Sequence, residues 1–312
     1  MPSNPNSGSL ATSLKSYWCH MRRLGLLVLF CYLGICLLLT LLQRKLIYLP
    51  AQENVIAPAL YALPVSRIES RSFPGEDEVG VKVWLVSAKV NLEKDVSSSE
   101  RRAMIVFHGN GHHRGGRGYL FELFNSLDQD VFIFDYPGYG ETSGSPSEAA
   151  NVANAAHLWD KVTGEWGYQP KNISLFGESL GGGIATQLAA QLSERNEAPA
   201  ALIVRSTFSS LVDAASYHYP WLPVRWLLVD RYPSTEVIKQ VTCPILVIHG
   251  STDQIVPYEL GERLYEAAPP ESQNGVAKSM LVINGGGHNN LSHRPNSPMG
   301  IGIAEFLERI ED

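Results

Sequence analysis

Asn172-Ile173-Ser174-Leu175-Phe176-Gly177-Glu178-Ser179-Leu180-Gly181-Gly182-Gly183 is the stretch on which the reading of this chain turns. Ile173 to Phe176 is a short apolar run of strand type. Gly182 to Leu192 reads as a small-residue helix that can pack close against a sheet. Between them, Gly177-Glu178-Ser179-Leu180-Gly181 sets a serine two residues from a glycine on either side. In a sharp turn from strand to helix the serine is strained and its hydroxyl is pushed clear of the sheet. A Cβ at either glycine would then strike the neighbouring strand and helix. The pentapeptide alone is a weak signal in a Gly-rich chain; the strand before it and the helix after it give it weight.

Composition bounds the rest. The chain has 312 residues, 45% of them hydrophobic, which suits one large α/β domain with a short appendage. A net charge of −6 without basic clusters argues against nucleic acid as a partner. Cys19, Cys31 and Cys36 lie in or beside an apolar N-terminal segment and Cys243 precedes a core strand, a scatter that makes neither a disulfide framework nor a zinc site.

Residues 1–23 open with Ser, Asn and Pro and show no apolar period, so a disordered tail is expected. Leu24 to Leu42 then runs without a charge, long enough as a helix to span a bilayer core of roughly 30 Å at about 1.5 Å per residue. A cleaved signal peptide is the competing reading, but the run is longer than a usual signal core and no Ala-x-Ala-like site follows. Gln43-Arg44-Lys45 follows instead, as at a membrane interface, so an uncleaved single-pass anchor is expected. Lys15, Arg22 and Arg23 outweigh Arg44 and Lys45, which by the positive-inside rule places the tail in the cytoplasm and the domain after it on the opposite side. The sequons at Asn172 and Asn290 read as chance matches, because the first opens a core strand and the second adjoins the expected site.

Past the anchor, Ser66 to Phe73 and Val79 to Ser87 form a hairpin pattern, with Val81, Val83 and Leu85 alternating as in a half-covered edge. Lys89 to Arg102 reads as a surface loop. Strand and helix patterns then alternate to a final helix over 298–310, interrupted by an irregular helical insertion over about 207–239. Short apolar strands alternating with helices imply a mostly parallel sheet covered on both faces, within an α/β domain spanning 47–310. Right-handed crossovers put the strands' carboxyl ends on one edge, where such sheets bind ligands.

The loops on that edge carry the unusual residues. After Phe107 comes a Gly-rich loop, His108-Gly109-Asn110-Gly111-His112-His113-Arg114-Gly115-Gly116-Arg117-Gly118. An oxyanion hole takes one amide from such a loop, here Asn110 or Gly111, and one from the residue after the nucleophile, here Leu180. The loop lacks the Gly-Lys-Ser/Thr ending of a phosphate-binding loop, which argues against nucleotides. Asp253 follows the strand ending at His249, and His288 follows the strand ending at Asn284. Ser179, Asp253 and His288 thus fall in triad order at three strand ends: His288 as general base, Asp253 as its orienting acid, with Asp213 and Asp230 as substitute acids. Asp135-Tyr136-Pro137-Gly138-Tyr139-Gly140 reads as a loop formed for its turns, shaping at most one wall. His108 reads as a brace for the Gly-rich loop, and His112, His113 and His249 show no metal-ligand spacing. Arg205 reads as half of a structural ion pair, with an anionic substrate group as the alternative. Tyr217, Tyr219, Trp221 and Trp226 make the insertion unusually aromatic, either packed as a small cap or lining an acyl groove.

His108-Gly109-Asn110-Gly111, Asp135 to Gly140, Gly177 to Gly182, His249 to Asp253 and Gly287-His288-Asn289 together resemble the α/β-hydrolase superfamily. They are most similar to its membrane-anchored α/β-hydrolase-domain proteins with a His-Gly-Asn loop, a group that includes lysophospholipid lipases and protein depalmitoylases. The resemblance covers about residues 47–310. It implies an eight-stranded mostly parallel sheet, a covalent acyl-enzyme formed from an ester, thioester or lipid substrate, and no cofactor. The His-His-Arg-Gly-Gly-Arg run after Gly111 departs from the usual pattern and leaves open which loop amide completes the hole. An S33-like peptidase would need a larger cap than this insertion supplies, and an inactive scaffold would be expected to have lost a triad member.

Overall fold

The computed structural model describes residues 7–61, 67–75 and 80–311, in two compact units divided between Leu46 and Ile47. The described part of the first unit is helical, within α1 (Ser7–Ile47), whose last residue opens the second unit. Its stretch His20–Ile47, 28 residues with a mean hydropathy of 2.7 in the most apolar window, is long and apolar enough to cross a membrane by length and composition. The tail expected to be disordered through Arg23 is helical from Ser7 onward. Between Ser9 and Leu24 no Pro or Gly intervenes, so helical turns propagate back from the apolar segment, which has already met the cost of nucleation.

The second unit runs β1 (Leu49–Pro50), β2 (Ile68–Pro74), β3 (Gly80–Val86), α2 (Lys89–Glu93), β4 (Arg102–Phe107), β5 (Gly111–His112), α3 (Gly118–Asn125), β6 (Gln129–Phe134), α4 (Glu148–Asp160), β7 (Ile173–Glu178) and α5 (Leu180–Glu194). There follow β8 (Ala201–Arg205), α6 (Leu211–His218), α7 (Val224–Leu227), α8 (Ser234–Val237), β9 (Ile245–Gly250), α9 (Tyr258–Ala267), β10 (Ser279–Ile283) and α10 (Pro298–Glu311). Eight strands form one sheet in the order β10-β9-β8-β7-β4-β6-β3-β2, and β1 pairs with β5 apart from it. β3 is the one reversed strand, antiparallel to both β2 and β6, so the carboxyl ends of β4, β7, β8, β9 and β10 share an edge.

Parallel strands joined by crossover helices are buried on both faces, and their continuous apolar runs follow from that. In β4, Ile105 and Phe107 pack toward α4 and α5, while Met104 and Val106 pack toward α3 and α10. Each such fully buried side chain contributes about 1.5–3 kcal/mol of burial. The hairpin of β2 and β3 is present, its expected ends at Ser66 and Val79 lying outside the described residues. Its second strand is not half-covered: Trp84 and Val86 are fully buried, because β3 lies between β2 and β6 and is packed on both faces. The expected loop after it holds the short α2, whose Asn91 donates to Asp130. The insertion carries three short helices, α6 to α8, with Phe208, Val224 and Tyr232 turned inward and Trp226 88% exposed.

Candidate active site

Strand β7 delivers Ser179 into a conformation rare for a side-chain-bearing residue, φ 53° and ψ −117°, whose strain of about 1–3 kcal/mol the surroundings must hold. They do so through Ser179 N donating to Arg205 O at 2.9 Å and Thr207 Oγ1 donating to Ser179 O at 2.7 Å. The flanking glycines are sterically required. A Cβ on Gly177 would lie 2.6 Å from Gly181 O, and one on Gly181 would overlap the carbonyl oxygens of Phe107 and His108.

Around this turn the three chemically apt side chains meet. His288, in the loop after β10, places Nε2 3.1 Å from Ser179 Oγ and Nδ1 2.7 Å from Asp253 Oδ2. Asp253, in the loop after β9, accepts at Oδ1 from the amides of Ile255 and Val256, both at 2.9 Å. Burial alone would raise the Asp253 carboxyl. Hydrogen bonds from His249 and His288, the His288 charge and the Val256 amide outweigh it and hold the carboxyl well below its usual range. Asp253 is therefore an anion facing the imidazole, the arrangement that orients a base and stabilises its protonated form. The substitute acids are employed elsewhere: Asp213 accepts from Ser209 at 2.7 Å, and Asp230 accepts from Tyr48 at 3.0 Å. The side chain of Asn290 accepts from Gly287 N and shapes the loop that carries His288.

The Gly-rich loop lies beside the nucleophile, since a Cβ on Gly109 would fall 3.6 Å from that of Ser179. Asn110 and Gly111 follow at once. Leu180 opens α5, where helix N–H groups have no intrahelical acceptor and are free to meet an anion. His108 braces the loop as expected. It is fully buried, its Nδ1 donates to Gly109 O at 2.8 Å, and burial first, then the charge of Arg117, push its pKa down to about 3. The departure from the family pattern is structural. His113 sits against Glu53 and Tyr61, and Arg114 pairs with Asp135 and Glu141 while lying over Trp84. Among the described residues no group of three His, Cys, Asp or Glu side chains is placed to hold a metal.

Two features exceed what the sequence suggested. The loop of Asp135 to Gly140 is a buttress and more than a turn: Tyr136 OH donates to His108 O at 2.8 Å and Tyr139 OH to Asn110 O at 2.7 Å. Arg205 is indeed half of an ion pair, with Glu178 at 2.6 Å, and its other terminal nitrogen donates to His288 O. Glu178 and Arg205 are register partners at the ends of β7 and β8, and opposite charges at two buried strand ends were the available signal. His249, which the sequence marked only as lacking a metal-ligand spacing, is buried beside the acid: it donates to Val256 O at 2.8 Å and stands 3.5 Å from Asp253 Oδ2.

Known proteins share both the sheet and the sequence. An esterase of Pyrococcus furiosus, Pf2001, superimposes with a TM-score of 0.61 at 16% identity, over 85% of this chain and 98% of that one. Residues 98–237, which include Ser179, match the family described as serine aminopeptidase, S33. The chain belongs to the α/β-hydrolase superfamily, and within it to a group of α/β-hydrolase-domain proteins. The lysophosphatidylserine lipase ABHD12 of Mus musculus is 31% identical over 292 residues, covering 82% of this chain and 72% of that protein. An uncharacterized protein of Mycobacterium tuberculosis, Rv2307c, is 36% identical over 277 residues, covering 88% and 90%.

Proposed function

We propose that this chain is a membrane-anchored serine hydrolase that cleaves carboxylic ester or thioester bonds, with a lipid or other acyl substrate. The observation that carries the reading is the unbroken relay from Ser179 Oγ through both nitrogens of His288 to Asp253. Ser179 attacks the carbonyl carbon while His288 Nε2 takes its proton, and the oxyanion is held by the amides of Leu180 and of Asn110 or Gly111. Collapse expels the alcohol or thiol with the proton from His288, leaving Ser179 acylated. Water, deprotonated by His288, then releases the acid and restores the serine. The name of the mouse relative, a lysophosphatidylserine lipase, favours a monoacyl lipid as substrate class. The apolar stretch His20–Ile47 supports anchoring, with the tail on the cytoplasmic side by the Lys15, Arg22 and Arg23 excess.

The test is fluorophosphonate labelling of the purified protein and of Ser179→Ala and His288→Ala, followed by turnover of esters of increasing acyl length. Labelling that vanishes in Ser179→Ala and falls sharply in His288→Ala, with rates rising with chain length, is the expected result. A folded wild type that does not label points to an inactive scaffold. The family match favours one second reading, an aminopeptidase; cleavage of aminoacyl arylamides in preference to esters would establish it.

A further inference from the structure

We infer that the chain emerging from the apolar helix, residues 47–51, is a working part of the oxyanion loop, with Ile47 and Leu49 positioning the peptide groups on either side of Asn110. The inference rests on the oxyanion role proposed for that loop. Three bonds converge on Asn110. Its side-chain amide donates to Ile47 O at 2.9 Å, and its carbonyl accepts from Leu49 N at 3.0 Å and from Tyr139 OH at 2.7 Å. Leu49 and Pro50 pair in parallel with Gly111 and His112, so β1 and β5 are one ladder. The adjacent Tyr48 is buried, its hydroxyl bonded to Asp230 and Tyr232 at 3.0 Å each, which keeps the short strand from sliding.

Peptide planarity makes these bonds directional. A trans peptide's C=O and N–H point opposite ways, so a bond that fixes one aims the other. The bond of His108 to Gly109 O aims the Asn110 N–H, and the bonds of Leu49 and Tyr139 to Asn110 O aim the Gly111 N–H. Whichever amide meets the oxyanion, two of the three bonds that hold Asn110 come from Ile47 and Leu49, which precede the main sheet. A loop with four glycines between Gly109 and Gly116 has little stiffness of its own, and β1 supplies it.

The experiment uses the full chain in detergent micelles, comparing wild type, Leu49→Pro, Leu49→Ala and Asn110→Ala by melting temperature and by kcat and KM on a p-nitrophenyl ester. Leu49 is 54% exposed, so proline there chiefly deletes the N–H that meets Asn110 O. The expected result is a kcat for Leu49→Pro lower than that of Leu49→Ala by about 10-fold to 100-fold, with KM within about twofold, as for a weakened oxyanion donor. Asn110→Ala, which keeps its peptide groups and loses the bond to Ile47, should fall about tenfold in kcat. Equal kcat in Leu49→Pro and Leu49→Ala overturns the inference. If Leu49→Pro does not fold, an unchanged kcat in folded Asn110→Ala overturns it instead. Failure of the hydrolase reading looks different, since wild type then neither labels nor turns over.

Discussion

Arg205 donates from one terminal nitrogen to the carbonyl oxygen of His288 at 2.5 Å and from the other to Glu178 at 2.6 Å. One buried guanidinium thereby ties the strand end that carries the serine to the loop that carries the imidazole. Burial would raise Glu178, but the charges of Arg205 and Arg117 hold its pKa below the usual value, so the brace is ionic. Lysine offers no rigid fork and can serve only one of the two acceptors well. Arg205→Lys should therefore lower kcat about 10-fold to 100-fold with KM nearly constant, a loss of the order seen when catalytic geometry shifts by about 1 Å. Arg205→Ala also leaves the buried Glu178 carboxylate with only the more distant Arg117 and the Tyr119 hydroxyl, and should cost about 1–3 kcal/mol of stability. Steady-state kinetics and chemical denaturation separate the two effects; a raised KM at constant kcat would mean that Arg205 meets substrate.

Asp253→Asn keeps the shape of the site and removes the charge opposite His288. The amide can donate to Nδ1 and so favour the tautomer with its proton on Nε2, which cannot take the serine proton. A fall in kcat of about 10⁴-fold with fluorophosphonate labelling slowed in parallel is expected. His249→Phe removes the bond to Val256 O and a secondary partner of Asp253 but leaves the His288 contact and the Ile255 and Val256 amides on the carboxylate, and should cost far less.

Gly181→Ala forces a methyl group into the carbonyl oxygens of Phe107 and His108, where backbone on both sides leaves no room to yield. Destabilisation by about 3 kcal/mol or more is expected, read as a lowered melting temperature or lost expression. Gly164→Ala is the control: nothing lies within 4 Å of a Cβ there, and a change within about 0.5 kcal/mol is expected.

Acid should weaken the fold above the carboxylate range. Burial, reinforced by Arg205, pushes His293 down to about 4, and burial pushes His108 down to about 3. An unfolded histidine binds a proton near pH 6.5, so between that pH and the folded values the unfolded chain binds more protons and stability falls as pH falls. For the fully buried His108 the slope is about 1.4 kcal/mol per pH unit. Below about pH 4 the depressed Asp253 and Glu178 carboxyls add to the loss as they are protonated. Melting temperatures measured from pH 7 to pH 5 should decline in wild type and decline less steeply in His293→Gln; parallel curves would mean that His293 does not contribute to the acid sensitivity.

Local pattern alone carried much of this protein. The strand and helix around Ser179, the alternation that builds the parallel sheet, the apolar helix before Ile47 and the strand-end setting of each of Ser179, Asp253 and His288 rest on residues near one another in the chain, where periodicity and turn chemistry act. The extent of that helix back to Ser7 did not show in composition, because helical order there is inherited from the segment that follows. What tertiary structure decided is the set of partners. Tyr48 meets Asp230 across 182 positions, Asn110 is held by Ile47 and Tyr139, and Arg205 reaches both Glu178 and His288. A hydrogen bond is specific to a few tenths of an ångström, and only the closing of the sheet and its crossovers brings such distant groups within that distance.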